Sequence, residues 1–240
     1  MPYFTVLGDV IASRLRKNQP KLLRDLDAAL NWAGSAASPE STYQPLQVTI
    51  GDEFQGAFRD LGTALRVALR VELRLAGSLP VRLGLGHGEI EGYAPERGPL
   101  AQSGSAWWTA RAAIERVAEL EQEKRPFRRL AFASDEPVLS AAMEAWLCLR
   151  DRLVAALDAT DLAILRGLEE GLTQTEIAQQ LDLDPAAITR RKYRRGIDAL
   201  RAAYRAFDGL ANTAATAQEK APAPTAPTSA SSARKQGKRR

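Results

Sequence analysis

The chain has 240 residues, enough for two domains of ordinary size, and its +4 formal charge, concentrated in local clusters of cations, favours a polyanionic partner. A single cysteine, Cys148, excludes a disulfide framework or a cysteine-built metal site within one chain. No stretch approaches the roughly 20 apolar residues of a membrane span, and MPYFTVLGDV lacks a basic region followed by a small-residue cleavage site, so a reducing, cytoplasmic location is expected.

Taken in order, Tyr3 to Ile11 is an apolar, β-branched run that predicts a buried strand, and Leu22, Leu23, Leu26, Leu30 and Ala33 give helical periodicity from Pro20 to Ala33. Pro45 to Ile50 and Glu53 to Phe58 predict two strands joined at Gly51 and Asp52, a two-residue hairpin signal. An amphipathic helix comes next, from Leu61 to Ala76, then a core strand from Val81 to Gly86, a helix from Gly104 to Gln122 and a strand from Arg128 to Ala133. The order βαββαβ with additions predicts a ferredoxin-like, palm-type α+β domain over 1–135. Pro137 to Leu157 reads as a connecting helix within 136–157.

The remainder reads as an all-α DNA-binding domain over 158–211. Ile177, Ala178 and Leu181 share one face of a short helix that Thr173 and Glu176 cap, and Asp182 to Asp184 form a turn. Asp184 is a good N-cap and Pro185 suits the first helical position, so a second helix begins there. It carries Thr189, Arg190, Arg191, Lys192, Arg194 and Arg195, while Ala187, Ile188 and Ile197 suit the apolar side. This is a helix-turn-helix pattern, with double-stranded DNA the expected partner. A solvated basic helix in an ordinary bundle is the plainer alternative. No large apolar residue comes after Leu210, so 212–240 is expected to be a disordered basic tail.

In the first domain, Asp9 interrupts an apolar strand and Asp52 sits at a hairpin tip. Two carboxylates brought together in a palm arrangement suit Mg²⁺, and Gly8 and Gly51 beside them would admit phosphate oxygens. Singly, Asp52 is a normal turn residue and Asp9 a strand-end or capping residue. His87 reads as a surface or hydrogen-bonded residue rather than a general base, with Glu89 and Glu91 facing water or assisting a metal. Trp107 and Trp108 suit either base stacking or a core or dimer interface.

Several of these segments carry a resemblance. VLGDVIASR, VTIGDEFQGAF, VRLGLGHGEI and GSAWWTARAAIE resemble, in order, landmarks of class III nucleotide cyclases and more loosely of GGDEF diguanylate cyclases, and the closest likeness is to the SatD family. The resemblance implies metal ligation by Asp9 and Asp52, with main chain from Ile11 through Ala12 to Ser13 over the phosphates. It departs where a cyclase carries Asn and Arg to stabilise the transition state: Trp108 and Ala112 stand there, with Arg111 one residue out of register. The purine-recognising Lys and its partner acid correspond to Val48 and Ala101. LDATDLAILRGLEEGLTQTEIAQQLDLDPAAITRRKYRRGIDALRAAY resembles region 4 of bacterial sigma factors and the LuxR-type output domain, and the likeness implies DNA contacts by Thr173, Thr175, Ala187, Thr189, Arg190, Arg191, Lys192, Arg194 and Arg195, with Thr189, Arg190 and Arg194 reaching base edges. The combined expectation is a homodimeric transcriptional regulator with a nucleotide-type ligand. The alternatives are an active cyclase or phosphotransferase, or a nucleoid or RNA polymerase accessory protein with a non-catalytic scaffold.

Overall fold

In the computed structural model the described residues are 2–15, 17–92, 102–123 and 127–219. The chain is α+β. Among the described residues it forms a five-stranded mixed sheet and eight α-helices. Strands β1 (Tyr3–Val10), β2 (Thr42–Val48), β3 (Phe54–Phe58), β4 (Val81–Gly88) and β5 (Leu130–Ser134) lie in the order β2-β3-β1-β4-β5. The first four are antiparallel to their neighbours, and β5 adds parallel to β4.

Helices α1 (Gln19–Gly34) and α2 (Leu61–Leu75) cover one face, where Leu22, Leu26 and Leu30 meet Val6, Val10, Leu83 and Leu85. Helix α3 (Ser105–Gln122) covers the other, where Trp107 and Ala110 meet Leu7 and Ala57. Its approach depends on glycine. At alternate positions of β4, a Cβ on Gly84 would stand 2.3 Å from the Ala110 carbonyl oxygen and one on Gly86 2.2 Å from that of Ala106. The bare backbone lets α3 lie directly on the strand. Thr5, fully buried in β1, donates to the Ala106 carbonyl at 2.7 Å and fixes the helix lengthwise.

The β2–β3 connection behaves as its sequence predicts: Glu53 N donates to Ile50 O at 3.0 Å, with Gly51 at φ +62°. The last strand begins at Leu130 rather than Arg128, because Arg128 turns inward to a buried ionic cluster.

Helices α4 (Pro137–Ala155), α5 (Ala159–Glu169), α6 (Gln174–Leu181), α7 (Pro185–Arg194) and α8 (Ile197–Glu219) complete the described elements. They share one hydrophobic core with the α1–α2 face of the sheet, through Met143, Leu147, Ile164, Leu165, Ile188, Ile197 and Leu200. Two polar ties cross the same seam. Arg70 of α2 donates to the carbonyls of Trp32 and Glu169 at 2.9 and 2.7 Å and lies over the Trp32 ring, and Arg66 pairs with Asp208 of α8. Helical backbone continues past Asn212 to Glu219, later than the expected start of a disordered tail; 220–240 lie outside the described residues.

A buried cluster joins α2, α4, α8 and the approach to β5. Asp151, with no exposed side-chain surface, accepts from Arg150 at 2.6 Å and from the N–H groups of Arg129 and Leu130 at 2.8 and 3.1 Å. Arg150 also donates to the Tyr204 hydroxyl at 2.9 Å and pairs with Glu72. Burial alone would lower the Arg150 pKa, but attraction to Glu72, Tyr204 and Asp151 outweighs it and keeps the guanidinium charged.

Candidate functional site

The α6–α7 segment is built as its sequence implies. Thr173 and Glu176 form a reciprocal capping box: the Thr173 hydroxyl accepts from Glu176 N at 3.2 Å, and Glu176 accepts from Thr173 N at 2.7 Å. Thr173 is thereby committed to holding the helix start. The helix ends at Asp182 in the left-handed region at φ 52°, which reverses the chain. Asp184 then accepts from Ala186 N at 2.6 Å with Pro185 in the first turn of α7. Ile188 is fully buried beneath, so the opposite side of α7 faces out.

The basic residues of α7 divide into two sets. Arg191 reaches Asp158 and Asp161 at 2.9 and 2.7 Å, Arg195 reaches Asp161 at 3.1 Å, and Lys192, largely covered, reaches Asp198 at 3.1 Å. Asp161 is fully buried, so these bonds neutralise an interior carboxylate; Arg191, Lys192 and Arg195, expected as DNA contacts, are engaged in holding α7 against α5 and α8. Arg190 and Arg194 are exposed with no ion-pair partner among the described residues. Between them Tyr193 is 85% exposed, a residue outside the expected contacts although an aromatic set among five cations is its own signal. A groove of about 430 Å³ is lined by Ala187, Arg190, Arg191, Arg194 and Arg195. Thr189 is exposed beside it and donates to Gln174 at 2.9 Å, and Thr175 is exposed on α6.

The carboxylate pair of the sheet is arranged differently from the expectation. Arg82, opposite Asp9 across the β1–β4 ladder, forks onto it: Nε donates to one oxygen at 2.9 Å and a terminal N–H to the other at 3.1 Å. Asp52 accepts from Val10 N at 3.1 Å, which ties the hairpin tip to the end of β1. Burial lowers the Arg82 pKa, yet the hydrogen bonds and charge of Asp9, with Glu121 and Asp52 adding, leave it above its usual value. A guanidinium is therefore the cation that Asp9 holds, and among the described residues no group of three or more His, Cys, Asp or Glu is placed to hold a metal. The residues as arranged do not fit the ion. Removing the fork should free Asp9: Arg82→Ala is expected to raise Mn²⁺ affinity at least about tenfold by calorimetry, since a positive charge leaves the carboxylates. Unchanged affinity would show that Asp9 and Asp52 do not converge.

The expected phosphate cradle also differs in part. Gly8 is covered, because a Cβ there would meet the Phe54 ring at 2.1 Å, so its bareness serves core packing rather than a ligand. Gly51 is exposed, and among the described residues nothing lies within 4 Å of a Cβ added there. Ala12 holds φ 55°, an unfavourable conformation for a residue with a Cβ. The turn around it is tied down by Ile11 N to Pro80 O at 2.8 Å and by Gln19 to the carbonyl of Ser13 at 2.9 Å. Trp107 packs in the small core under α3, whereas Trp108 is 69% exposed. Arg111 pairs with Glu53 at 3.2 Å. His87 stacks on Phe4 and shares a 3.2 Å hydrogen bond with Ser134; burial lowers its pKa against the pull of Glu136, Glu89 and Asp135. Ala101 lies outside the described residues. Among the described residues no helix is long and apolar enough to cross a membrane.

No curated protein matches the sequence. The SatD family matches residues 3–208, the whole of the sheet and the helices as far as Asp208 of α8. The chain belongs to the SatD family.

Proposed function

We propose that this protein is a DNA-binding transcriptional regulator, in which α6 and α7 are a helix-turn-helix and α7 enters the major groove of a duplex. The observation that carries the reading is the division of cations on α7: Arg191, Lys192 and Arg195 are held by acids, while Arg190, Tyr193 and Arg194 project from an otherwise anchored helix with no ion-pair partner among the described residues. Guanidinium groups on such a face suit bidentate bonding to guanine edges or single bonds to phosphates. The sheet half, whose strand order β2-β3-β1-β4 with antiparallel neighbours supports a ferredoxin-like palm, serves dimerisation and a nucleotide-type ligand. No catalytic step is assigned to it: Trp108 and Ala112 stand where a cyclase stabilises its transition state, and Arg111 is turned to Glu53.

Replacing Arg190 and Arg194 together by alanine is expected to weaken binding to a selected promoter fragment roughly 10²–10⁴-fold, two base or phosphate contacts at about 1–3 kcal/mol each. The thermal midpoint should stay within a degree or two because both side chains are exposed. A gel-shift titration decides the matter: retained, sequence-selective affinity in the double variant removes the reading. Because Arg191 and Arg195 already have protein counter-charges, they release few counterions, so alanine at either should change the salt dependence little.

A further inference from the structure

Helix α4 is apolar on two opposite sides, and only one is covered. Met143 and Leu147 are buried, with Leu139, Trp146 and Val154 packed beside them. The reverse side carries Val138, 83% exposed, and Leu149, 74% exposed, with Ala141, Ala142 and Ala145 exposed between them. Val138, Ala142, Ala145 and Leu149 are spaced by four, three and four residues, the seam of a helix that packs on another helix. A helix apolar all round belongs in an interior, so this second face calls for a partner.

We propose that the partner is a second copy of the chain, with α4 packed antiparallel on α4 about a twofold axis near Met143 and Glu144. The inference rests on the dimeric part of the function proposed above and moves its surface from the sheet to α4. That axis sets Val138 against Leu149 of the partner subunit and Ala142 against Ala145 of the partner subunit, large to large at the ends and small to small at the centre. Alanines at the crossing let two helix axes approach to about 8 Å. The same axis sets exposed Asp135, just before the helix, against exposed Arg152 of the partner subunit, and Arg152 has no ion pair among the described residues. A parallel pairing would instead bring Asp135 to Asp135 and Arg152 to Arg152, which like-charge repulsion opposes. Such a contact is isologous, each copy giving the same patch. One stripe buries less than the roughly 800 Å² per partner of a standard interface, so the free dimer dissociates measurably on dilution.

Sedimentation equilibrium of the full chain without DNA tests this. Wild type is expected to pass from monomer to dimer as concentration rises from micromolar to submillimolar, while Ala145→Glu and Leu149→Glu stay monomeric with an unchanged far-UV spectrum. Asp135→Arg and Arg152→Asp should each weaken dimerisation roughly tenfold, and the two together should restore it. Monomer at every concentration, or wild-type dimerisation of Leu149→Glu, overturns the proposal, and a double charge reversal that fails to restore the dimer overturns its antiparallel orientation. The Arg190 and Arg194 double variant must keep the wild-type dimer. Loss of DNA binding with the dimer intact bears on the DNA reading alone, and DNA binding by a chain that stays monomeric bears on this one.

Discussion

Asp151→Ala is expected to destabilise the fold by about 3–5 kcal/mol, the usual cost of removing one partner from a buried ionic cluster. The variant would leave the N–H groups of Arg129 and Leu130 without their acceptor and take one of two carboxylates from the buried Arg150 guanidinium, and Arg128 Nε lies 3.4 Å from the same group. Urea unfolding monitored by circular dichroism measures the loss. Tyr204→Phe removes one hydroxyl from the same cluster and should cost less, about 1–3 kcal/mol, because Arg150 keeps Glu72 and Asp151. Equal, small effects from both changes would mean that water replaces the lost partners and that the cluster is wetter than its burial implies.

The second large effect is steric. Gly86→Val should destabilise by about 3 kcal/mol, lowering the thermal midpoint by roughly 6–12 °C, since the new side chain meets helix backbone, which cannot swing aside as a side-chain tip can. The Ala106 carbonyl 2.2 Å from the added Cβ also receives the Thr5 hydroxyl, so α3 cannot lift without breaking that bond. Gly34→Ala supplies the contrast. Among the described residues nothing lies within 4 Å of its added methyl in the last turn of α1, and the change should be neutral or stabilising by up to about 1 kcal/mol. Calorimetric scans of the two variants side by side check the difference; a wild-type midpoint for Gly86→Val would refute the close packing of α3 on β4.

Legibility in the sequence tracks the range of the forces involved. Periodicity and capping are local, so the strands around β1 to β4, the Gly51–Asp52 turn and the Thr173–Glu176 box emerged with errors of a few residues at their ends. The site was less legible because pairing is decided at a distance. Asp9 reads as a free carboxylate until β4 is known to lie beside β1; then Arg82, a cation in an apolar strand with the same parity as Gly84 and Gly86, is seen to be its partner. Likewise the cations of α7 look equivalent in one dimension, and only the return of Asp158 and Asp161 beneath the helix separates those that hold from those that project. Arg150 and Asp151 fall in the stretch LRDRL, which reads as an ordinary charged helix surface; no neighbour in sequence reveals that it faces α2 and α8.

The core shared by the sheet and the last helices constrains how such a sequence can drift. Helix α2 gives one side to α1 and the strands and another to α5 and α8, so a cut between the two halves would expose apolar surface on both pieces. The stretch from Asp135 to Asp158 is accordingly a series of packed positions rather than a tether. Adding or deleting a single residue within α4 would turn Met143, Leu147 and Asp151 by about 100° relative to α5 and the helices beyond it, pulling each from its place. Length variation among relatives is therefore expected in turns such as 35–41, while 135–158 changes by substitution alone, and the last helices pass from ancestor to descendant together with the sheet on which they rest.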